Sequence, residues 1–376
     1  METNTCERRR SLSVDARVEV QEPGIPILTE ELMLGNASRW RRFGEVVPAG
    51  QSLDSNGFPD YGVFGPGSVA WRVLLHPATI VFETAAQAAA QFLYKPITAG
   101  IRDLDPISRK ARRGTFTMFD FFERFQRNSG MHAPMWLGDT PTAQNMAAHL
   151  HRIHGRVTGP VIDPDDPSLG GYAAAEPRDA MWAAITELHA TLCAYEKLAW
   201  NGDEAPHPLT PAERDQYVLE LGSYLRLVGA EESEIPRNMA ELDALYEKYW
   251  PYFGHKESVF ADRETGVHMI AQYKDVAQKN WDPSHKLATD ALFEVYEQWS
   301  DVMTAVLPEK LQAAAGLSRE QIDSADEIIA RHEKGIREIQ NPENEARLMR
   351  LLWGPDGVDL IRNARGLQEA ALQETT

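Results

Sequence analysis

The sequence predicts an all-α protein, a multi-helix globular domain. Apolar residues recur with the 3.6-residue period of a helix from residue 29 onward. Helix-start signals precede several of these periodic stretches. No Val/Ile-rich alternation of five or more residues, the pattern typical of a strand, occurs anywhere in the chain. We therefore expect helices throughout and no sheet.

The helices follow one another along most of the chain. The predicted ranges are 29–43, 67–75, 82–94, 106–129, 140–157, 178–199, 211–229, 237–249, 284–306, 318–338 and 341–353, with one more near the end. The clearest start is in "LTPAERDQY", where Thr210 is the N-cap and Glu213 the N3 residue of a capping box. Ser318 begins a similar pattern in "LSREQID". The Pro-, Gly- and Asp-rich segments 160–177 and 200–209 are typical of loops between helices.

Three regions are expected on this basis. Residues 1–45 form an N-terminal extension with the first helix, because residues 1 to 27 lack periodicity. Residues 46–317 form the main helical domain. Residues 318–376 are strongly charged and helical, and we predict that they form a C-terminal extension.

Composition and charge exclude several classes of protein. Lys and Arg number 38 against 56 Asp and Glu, a formal net charge of -18 that repels nucleic acid and anionic lipid. No apolar run reaches the ~18 residues of a membrane span, and the N-terminus lacks the apolar segment of a signal peptide. The only two cysteines, Cys6 and Cys193, cannot form a Cys-based zinc site. We expect a soluble, cytoplasmic protein with no nucleic-acid partner.

Three histidines lie close together in "AAHLHRIHGRVTG" (147–159). On a helix over 142–157, His154 lies at the edge of the apolar stripe that faces the core, His149 lies further round, and His151 points nearly away. The stripe consists of Met146, Leu150, Ile153 and Val157. Ligands of one metal ion would share a face, so the spacing argues against a metal site built from all three. A core imidazole hydrogen-bonded to a carbonyl is the simpler interpretation of His154.

A second histidine, His189, follows the apolar stripe of the helix at 178–199 with Trp182, Ile185 and Leu192. Two neighbouring helices that each send an imidazole inward indicate a pocket, because buried imidazoles need hydrogen-bond partners. Two ordinary core histidines fit the same pattern.

Three arginines, Arg109, Arg112 and Arg113, precede the aromatic stretch "FTMFDFFERF". They are either a solvated basic turn or a set that binds the anionic edge of a cofactor through charge-assisted hydrogen bonds. Their spacing does not decide between these two interpretations.

Several motifs, taken in chain order, resemble the rubber-oxygenase/MpaB-like family, whose characterised members include the haem-b-dependent latex-clearing proteins. They are "GVFGPGSVAWRVLLHPATIVF" (62–82), "AAQAAAQFLYKPITAGI" (85–101), "DPISRKARR" (105–113), "HRIHGRVTG" (151–159), "YAAAEP" (172–177), "LHATLCAYE" (188–196), "LTPAERDQYVLE" (209–220), "IPRNMAEL" (235–242) and "VLPEKLQAAAGL" (306–317). Their colinear order across about residues 60 to 317 carries the resemblance.

The resemblance implies roles for four residues. His154 matches the iron-ligating histidine of the family, and Arg109 matches an arginine of the haem pocket. Arg112 stands where the latex-clearing proteins have a distal lysine, and His189 matches a second pocket histidine. All four are thus predicted to bind the cofactor, with His154 on the metal, and Arg112 and His189 are also predicted to be catalytic.

The implied activity is that of a haem-b-dependent oxygenase, with O2 and an apolar, alkene-containing small molecule of the terpenoid or lipid type as substrates and an electron donor as a further partner. The chain departs from the family at Arg113, where threonine is usual, and at Lys95, where histidine is common. The stretch "AAQFLYKP" lacks the carboxylate that the latex-clearing proteins use, so cleavage of polyisoprene by their mechanism is not expected.

Two alternatives stay open at this point. A haem-binding carrier or sensor without turnover would show the same motifs. A helical scaffold with no cofactor would use His154 and His189 as core residues. A third, a di-iron bundle, is disfavoured because it needs Glu-x-x-His pairs on two helices, whereas the chain has this spacing once, from Glu204 to His207 in the predicted loop 200–209.

Overall fold

The computed structural model describes residues 45–280, 299–354 and 357–374. The helices with defined bounds are α1 (Val69–Leu74), α2 (Pro77–Gln91), α3 (Lys95–Leu104), α4 (Pro106–Arg112), α5 (Met118–Leu137), α6 (Thr140–His154), α7 (Pro177–Leu198), α8 (Pro211–Val228), α9 (Met239–Tyr249), α10 (Glu257–Phe260), α11 (Met269–Asn280), α12 (Glu309–Ala314), α13 (Arg319–Asp323), α14 (Ala325–Ile339), α15 (Pro342–Trp353) and α16 (Gly357–Glu374). Residues 299–306 are helical as well. The all-α prediction is confirmed.

Two predicted helices fall largely or wholly outside this description. The helix expected at 29–43 lies outside the described residues, and only 299–306 of the one expected at 284–306 lies within them. None of the helices in the described segments is both long and apolar enough to cross a bilayer.

The expectation of no sheet is wrong in one place. β1 (Thr158–Gly159) and β2 (Tyr172–Ala173) form a short antiparallel pair, with Thr158 opposite Ala173 and Gly159 opposite Tyr172. Two-residue strands carry no periodic pattern, so the sequence gives no signal for them. The pair closes the Pro- and Gly-rich loop that follows α6.

The single helix expected over 106–129 is two helices. Gly114 adopts a left-handed conformation (φ 69°) that ends α4. Thr117 then starts α5 through a capping box, since its side chain accepts from the backbone of Asp120 while the Asp120 side chain accepts from the backbone of Thr117. The break separates the arginine-bearing α4 from the aromatic α5.

The core is built around α2 and α7, which pack along each other over the longest interface of the fold. Three fully buried indoles, Trp71, Trp136 and Trp182, belong to this central cluster. Burial of one such side chain stabilises the folded state by about 1.5–3 kcal/mol or more, since an indole exceeds a leucine in area. α5 packs against α6, α15 and α16 on one side of this core.

The helices after residue 317 share this core. Ile336, Met349, Trp353 and Ile361 belong to the same cluster as the indoles. In α16, the guanidinium of Arg365 donates to the carbonyl of Leu75 at the end of α1. The last helices therefore complete the core of the preceding ones.

Candidate functional site

His154 is the last residue of α6. The buried face of this helix runs through Ala143, Met146 and Ala147, and Leu150 and His154 continue that face at helical spacing and are partly buried. Ile153, which we placed in the core-facing stripe, is 45% exposed. The stripe is therefore rotated relative to the prediction, because it is centred on the Ala147–Leu150–His154 line instead of on Ile153.

The imidazole of His154 is neutral at physiological pH. Burial lowers its pKa to about 4, with a further lowering by the guanidinium of Arg124. A hydrogen bond to the backbone of Ala174, just after β2, raises the pKa of His154, as expected when the ring donates to a carbonyl. A neutral ring with one nitrogen fixed by a carbonyl is the state in which histidine binds a metal through its other nitrogen.

The other two histidines of the cluster do not join His154. His151 is exposed, and the Nδ1 atom of partly buried His149 lies 3.3 Å from the Nη2 atom of Arg152. Within the described residues these three imidazoles do not form a group of potential metal ligands. This agrees with the helical geometry predicted from their spacing.

The chain directly after His154 is held tightly. A side chain at Gly159 would place its first carbon 2.4 Å from the ring of Tyr172, so only glycine fits opposite this tyrosine. The hydroxyl of Tyr172 donates to Asp103 at 3.0 Å. β1, β2 and α3 thus fix the segment that carries the Ala174 backbone contact.

Arg109 and Arg112, the two predicted pocket arginines, both bind protein groups. Arg109 is exposed and folds back on the carbonyl of Leu104, at 2.6 and 3.0 Å. Arg112 donates to Asp262 and to the carbonyl of Arg102, both at 2.8 Å. Its guanidinium joins α4 to the loop before α11.

His189 lies on α7 in a different environment. Its Nδ1 atom is 3.0 Å from the hydroxyl of Tyr246, and burial together with Arg214 lowers its pKa to about 4. It lines a cavity of about 720 Å³ with Cys193, Arg214 and Tyr246. His154 is not among the residues lining this cavity, and no contact within the described segments joins His154, Arg112 and His189.

A second, mostly apolar cavity of about 220 Å³ lies beside α2. Alanines at the end of α2 leave the space, and Phe92, Phe125 and Trp299 provide aromatic walls. Trp299 directly follows residues 281–298, which lie outside the described segments. The cavity suits an apolar ligand because few polar groups face it.

A buried polar network that was not predicted from the sequence lies between α2, α5, α7 and α8. The Nδ1 atom of His132 hydrogen-bonds to Glu83, and its Nε2 atom is 3.5 Å from Glu187. Tyr224 donates to Glu187 at 3.0 Å, and Thr84 donates to Glu83 at 2.7 Å. All five side chains are buried, so the network has low solvent access and strong internal electrostatics.

The charges in this network are coupled. Burial opposes the charge on His132, but the carboxylates of Glu187 and Glu83 outweigh it and raise the pKa of the ring to about 9. Burial raises the pKa of Glu187 to about 7, against the lowering effect of His132. The imidazole is therefore positively charged at neutral pH and stabilised by the two glutamates.

A signal for this network exists in the sequence. Glu83 and Glu187 are single carboxylates inside the apolar runs "TIVFETAAQAAA" and "AAITELHATL". A charge on the core-facing side of a helix requires a partner. His132 supplies that partner from "NSGMHAPMW". This stretch lacks a clear helical periodicity, so the sequence pattern does not indicate that His132 faces the core.

The network predicts a loss of stability between pH 7 and 9. His132 has a raised pKa, so its contribution is complete below the unfolded value near 6.5 and is lost as pH rises to about 9. Glu187 acts with the same sign from about pH 4.5 to 7. His154 and His189, with lowered pKa values, act with the opposite sign between about pH 4 and 6.5.

The window above pH 7 isolates His132 in a Glu187→Gln background, because loss of His132 alone would raise the pKa of Glu187 into this window. We expect the melting temperature, followed by circular dichroism, to fall more between pH 7 and 9 in Glu187→Gln than in the double variant His132→Leu/Glu187→Gln, since Glu83 still holds the pKa of His132 above its usual value. Equal slopes in the two proteins would contradict the raised pKa of His132.

Comparison with known proteins identifies one family. The family model described as ER-bound oxygenase mpaB/B'/Rubber oxygenase, catalytic domain, matches residues 71–332. No curated protein and no solved structure matches the chain significantly. The matched range begins in α1, includes His154, and ends within α14.

Proposed function

The chain belongs to the mpaB and rubber oxygenase family, and on that premise we propose that it is a haem-b-dependent oxygenase acting on an apolar, alkene-containing small molecule of the terpenoid or lipid type. Membership makes it an oxygenase-type oxidoreductase. Haem and the class of substrate are our proposal.

The observation that carries the proposal is the state of His154. Its ring is neutral and partly buried, and it is oriented by the backbone of Ala174. These are the properties of a histidine that ligates haem iron through the nitrogen not engaged with the backbone. We propose His154 as the iron ligand; bound haem would supply the activation of O2.

The charge of Arg124 supports this role of His154. Arg124, whose charge disfavours protonation of His154, is itself held by Asp105, with 2.8 Å between Nε and the carboxylate. The charge of Arg124 therefore disfavours protonation of His154 while its guanidinium stays paired with Asp105. This arrangement maintains the neutral imidazole over the whole physiological pH range.

The predicted pocket roles of Arg109, Arg112 and His189 remain proposals. Arg112 is bound by Asp262 and two main-chain carbonyls, so we propose that it positions the loop before α11. His189 faces the 720 Å³ cavity with Tyr246. A haem-contacting role for either side chain requires a change in these contacts.

The cavity beside α2 supports the proposed substrate class. Its walls combine alanines with Phe92, Phe125 and Trp299. A small apolar molecule would bind there mainly through the hydrophobic effect, because binding removes its apolar surface from water. A strongly polar substrate would find few hydrogen-bond partners. An electron donor and O2 complete the proposed reaction.

The first prediction is that His154→Ala loses most of the haem. The wild type, purified with haem supplied during expression, is expected to show a Soret band with about one haem per chain, because the imidazole of His154 would bind the iron. His151→Ala is the matched control, since that residue is exposed on the same helix and should retain the band.

Four outcomes decide the proposal. A wild type without a Soret band would overturn haem binding, and full haem content in His154→Ala would move the ligand elsewhere. Wild type that binds haem yet consumes no O2 with an alkene-containing terpenoid and a reductant would be a carrier or sensor. Consumption of O2 that is lost in His154→Ala would support the oxygenase.

A further inference from the structure

A second group of metal-ligand side chains lies between α9 and α11, away from His154 in the sequence. One nitrogen of His255, one of His268 and one carboxylate oxygen of Glu257 all lie within 4.8 Å of one another. The Nε2 atom of His255 is 3.0 Å from Glu257. The separation between His255 and Glu257 matches the distance of about 3–3.5 Å between two ligands of one ion at bond lengths near 2.0–2.2 Å, and the His268 nitrogen lies within 4.8 Å of both atoms.

Aromatic packing holds the two imidazoles in place. The ring of Phe260 lies nearly parallel to that of His268, with centroids 5.0 Å apart and an angle of 7°. The same ring contacts His255, with centroids 4.5 Å apart. Phe260 therefore orders both histidines and reduces the side-chain entropy that ion binding would cost.

The loop that brings His268 back to His255 is also rigid. Asp262 accepts from the backbone of Glu264 and Thr265 at 3.0 and 2.9 Å, and its other oxygen accepts from Arg112 at 2.8 Å. A bridge between Ala261 and His268 closes the loop. The two histidines are therefore preorganised by contacts of their rings and of the loop, while Glu257 is held by its hydrogen bond with His255.

The donor set is two imidazoles and one carboxylate. The Glu257 side chain is 80% exposed, and His255 also lines the 220 Å³ cavity. Such a set leaves at least one coordination position open.

We propose that His255, Glu257 and His268 bind one divalent first-row transition metal ion, with Zn²⁺ as the ion to test, at the edge of the apolar cavity. The ion would tie the segment before α10 to the start of α11 and stiffen that wall of the cavity. The site uses none of the residues proposed for haem.

The test measures Zn²⁺ binding to the full chain by competition with a chromogenic chelator, and zinc retained after gel filtration by elemental analysis. We expect one ion per chain in the wild type. Removal of a direct ligand in His268→Ala should weaken binding by roughly 100-fold or more, beyond the 10–100-fold typical of outer-shell changes. The exposed His207 provides the control His207→Ala, which should bind as the wild type does.

A second variant distinguishes the loss of a metal ligand from misfolding of the protein. Glu257→Gln changes an exposed side chain, so its melting temperature without metal should equal that of the wild type, while its affinity for Zn²⁺ falls. Added Zn²⁺ should raise the melting temperature of the wild type and of His207→Ala only. Equal zinc affinity in wild type, His268→Ala and Glu257→Gln would overturn the proposal.

Haem content separates this result from the first proposal. His268→Ala and Glu257→Gln should retain the Soret band of the wild type, because neither residue contacts His154. Loss of zinc with retained haem in His268→Ala and Glu257→Gln supports the zinc site. Loss of haem with retained zinc in His154→Ala bears only on the proposal that His154 binds haem.

Discussion

His132→Leu is expected to lower the free energy of unfolding by about 3–5 kcal/mol, the cost of removing one member of a buried ion pair. Glu83 and Glu187 are 1% and 5% exposed, so water cannot replace the imidazolium. The variant leaves two buried carboxyl groups side by side without the cation that stabilises them. Urea unfolding followed by circular dichroism measures the change.

Glu187→Gln is the matched control for this prediction. Its pKa is raised to about 7 by burial, so the side chain is largely protonated near pH 6 and an amide resembles it. The amide oxygen still accepts from Tyr224, as Glu187 does at 3.0 Å. At pH 6 we expect a loss of about 1 kcal/mol or less. A His132→Leu protein as stable as this control would show that the imidazole is not charged in the fold.

Arg102→Met should destabilise the protein by roughly 3–5 kcal/mol, because it removes a fully buried guanidinium and leaves its acceptors unpaired. Arg102 is 0% exposed. It donates to the carbonyls of Ile162 and Val259 at 3.2 and 3.0 Å and pairs with Asp103 at 2.7 Å. Methionine fills most of the volume but satisfies none of these oxygens.

Arg109→Met provides the contrast within the same region. Arg109 is exposed and contacts only the nearby carbonyl of Leu104, so we expect a change within about 0.5 kcal/mol. Thermal and urea unfolding of both variants measure the difference. If Arg102→Met unfolds at the same urea concentration as Arg109→Met, the buried guanidinium does not hold the loops together.

Most of the helices were predictable because their start signals are local. Thr210 and Ser318 cap their helices as their sequence patterns indicate. The break after Arg112 was missed although Gly114 and the Thr117–Asp120 capping box mark it. The aromatic period of "FTMFDFFERF" continues the pattern of α4 closely enough to hide these signals.

The candidate site was predictable only in part. The orientation of His154 follows from helical spacing, whereas its fixation by Ala174 depends on the pairing of β1 with β2. The partners of Arg112 and of His132 come from helices and loops remote in sequence. Such contacts depend on tertiary packing, which a local pattern does not contain.

The position of α16 has a consequence for synthesis of the protein. Gln368 accepts a hydrogen bond from the backbone of Gly67, and Arg365 caps the end of α1. Contacts across some 300 residues of sequence form only after α16 has left the ribosome. Until then the nascent chain keeps the surface of α5 that packs against α16 uncovered, so chaperone engagement should persist until α16 has emerged, and truncation before α16 should yield an aggregation-prone product.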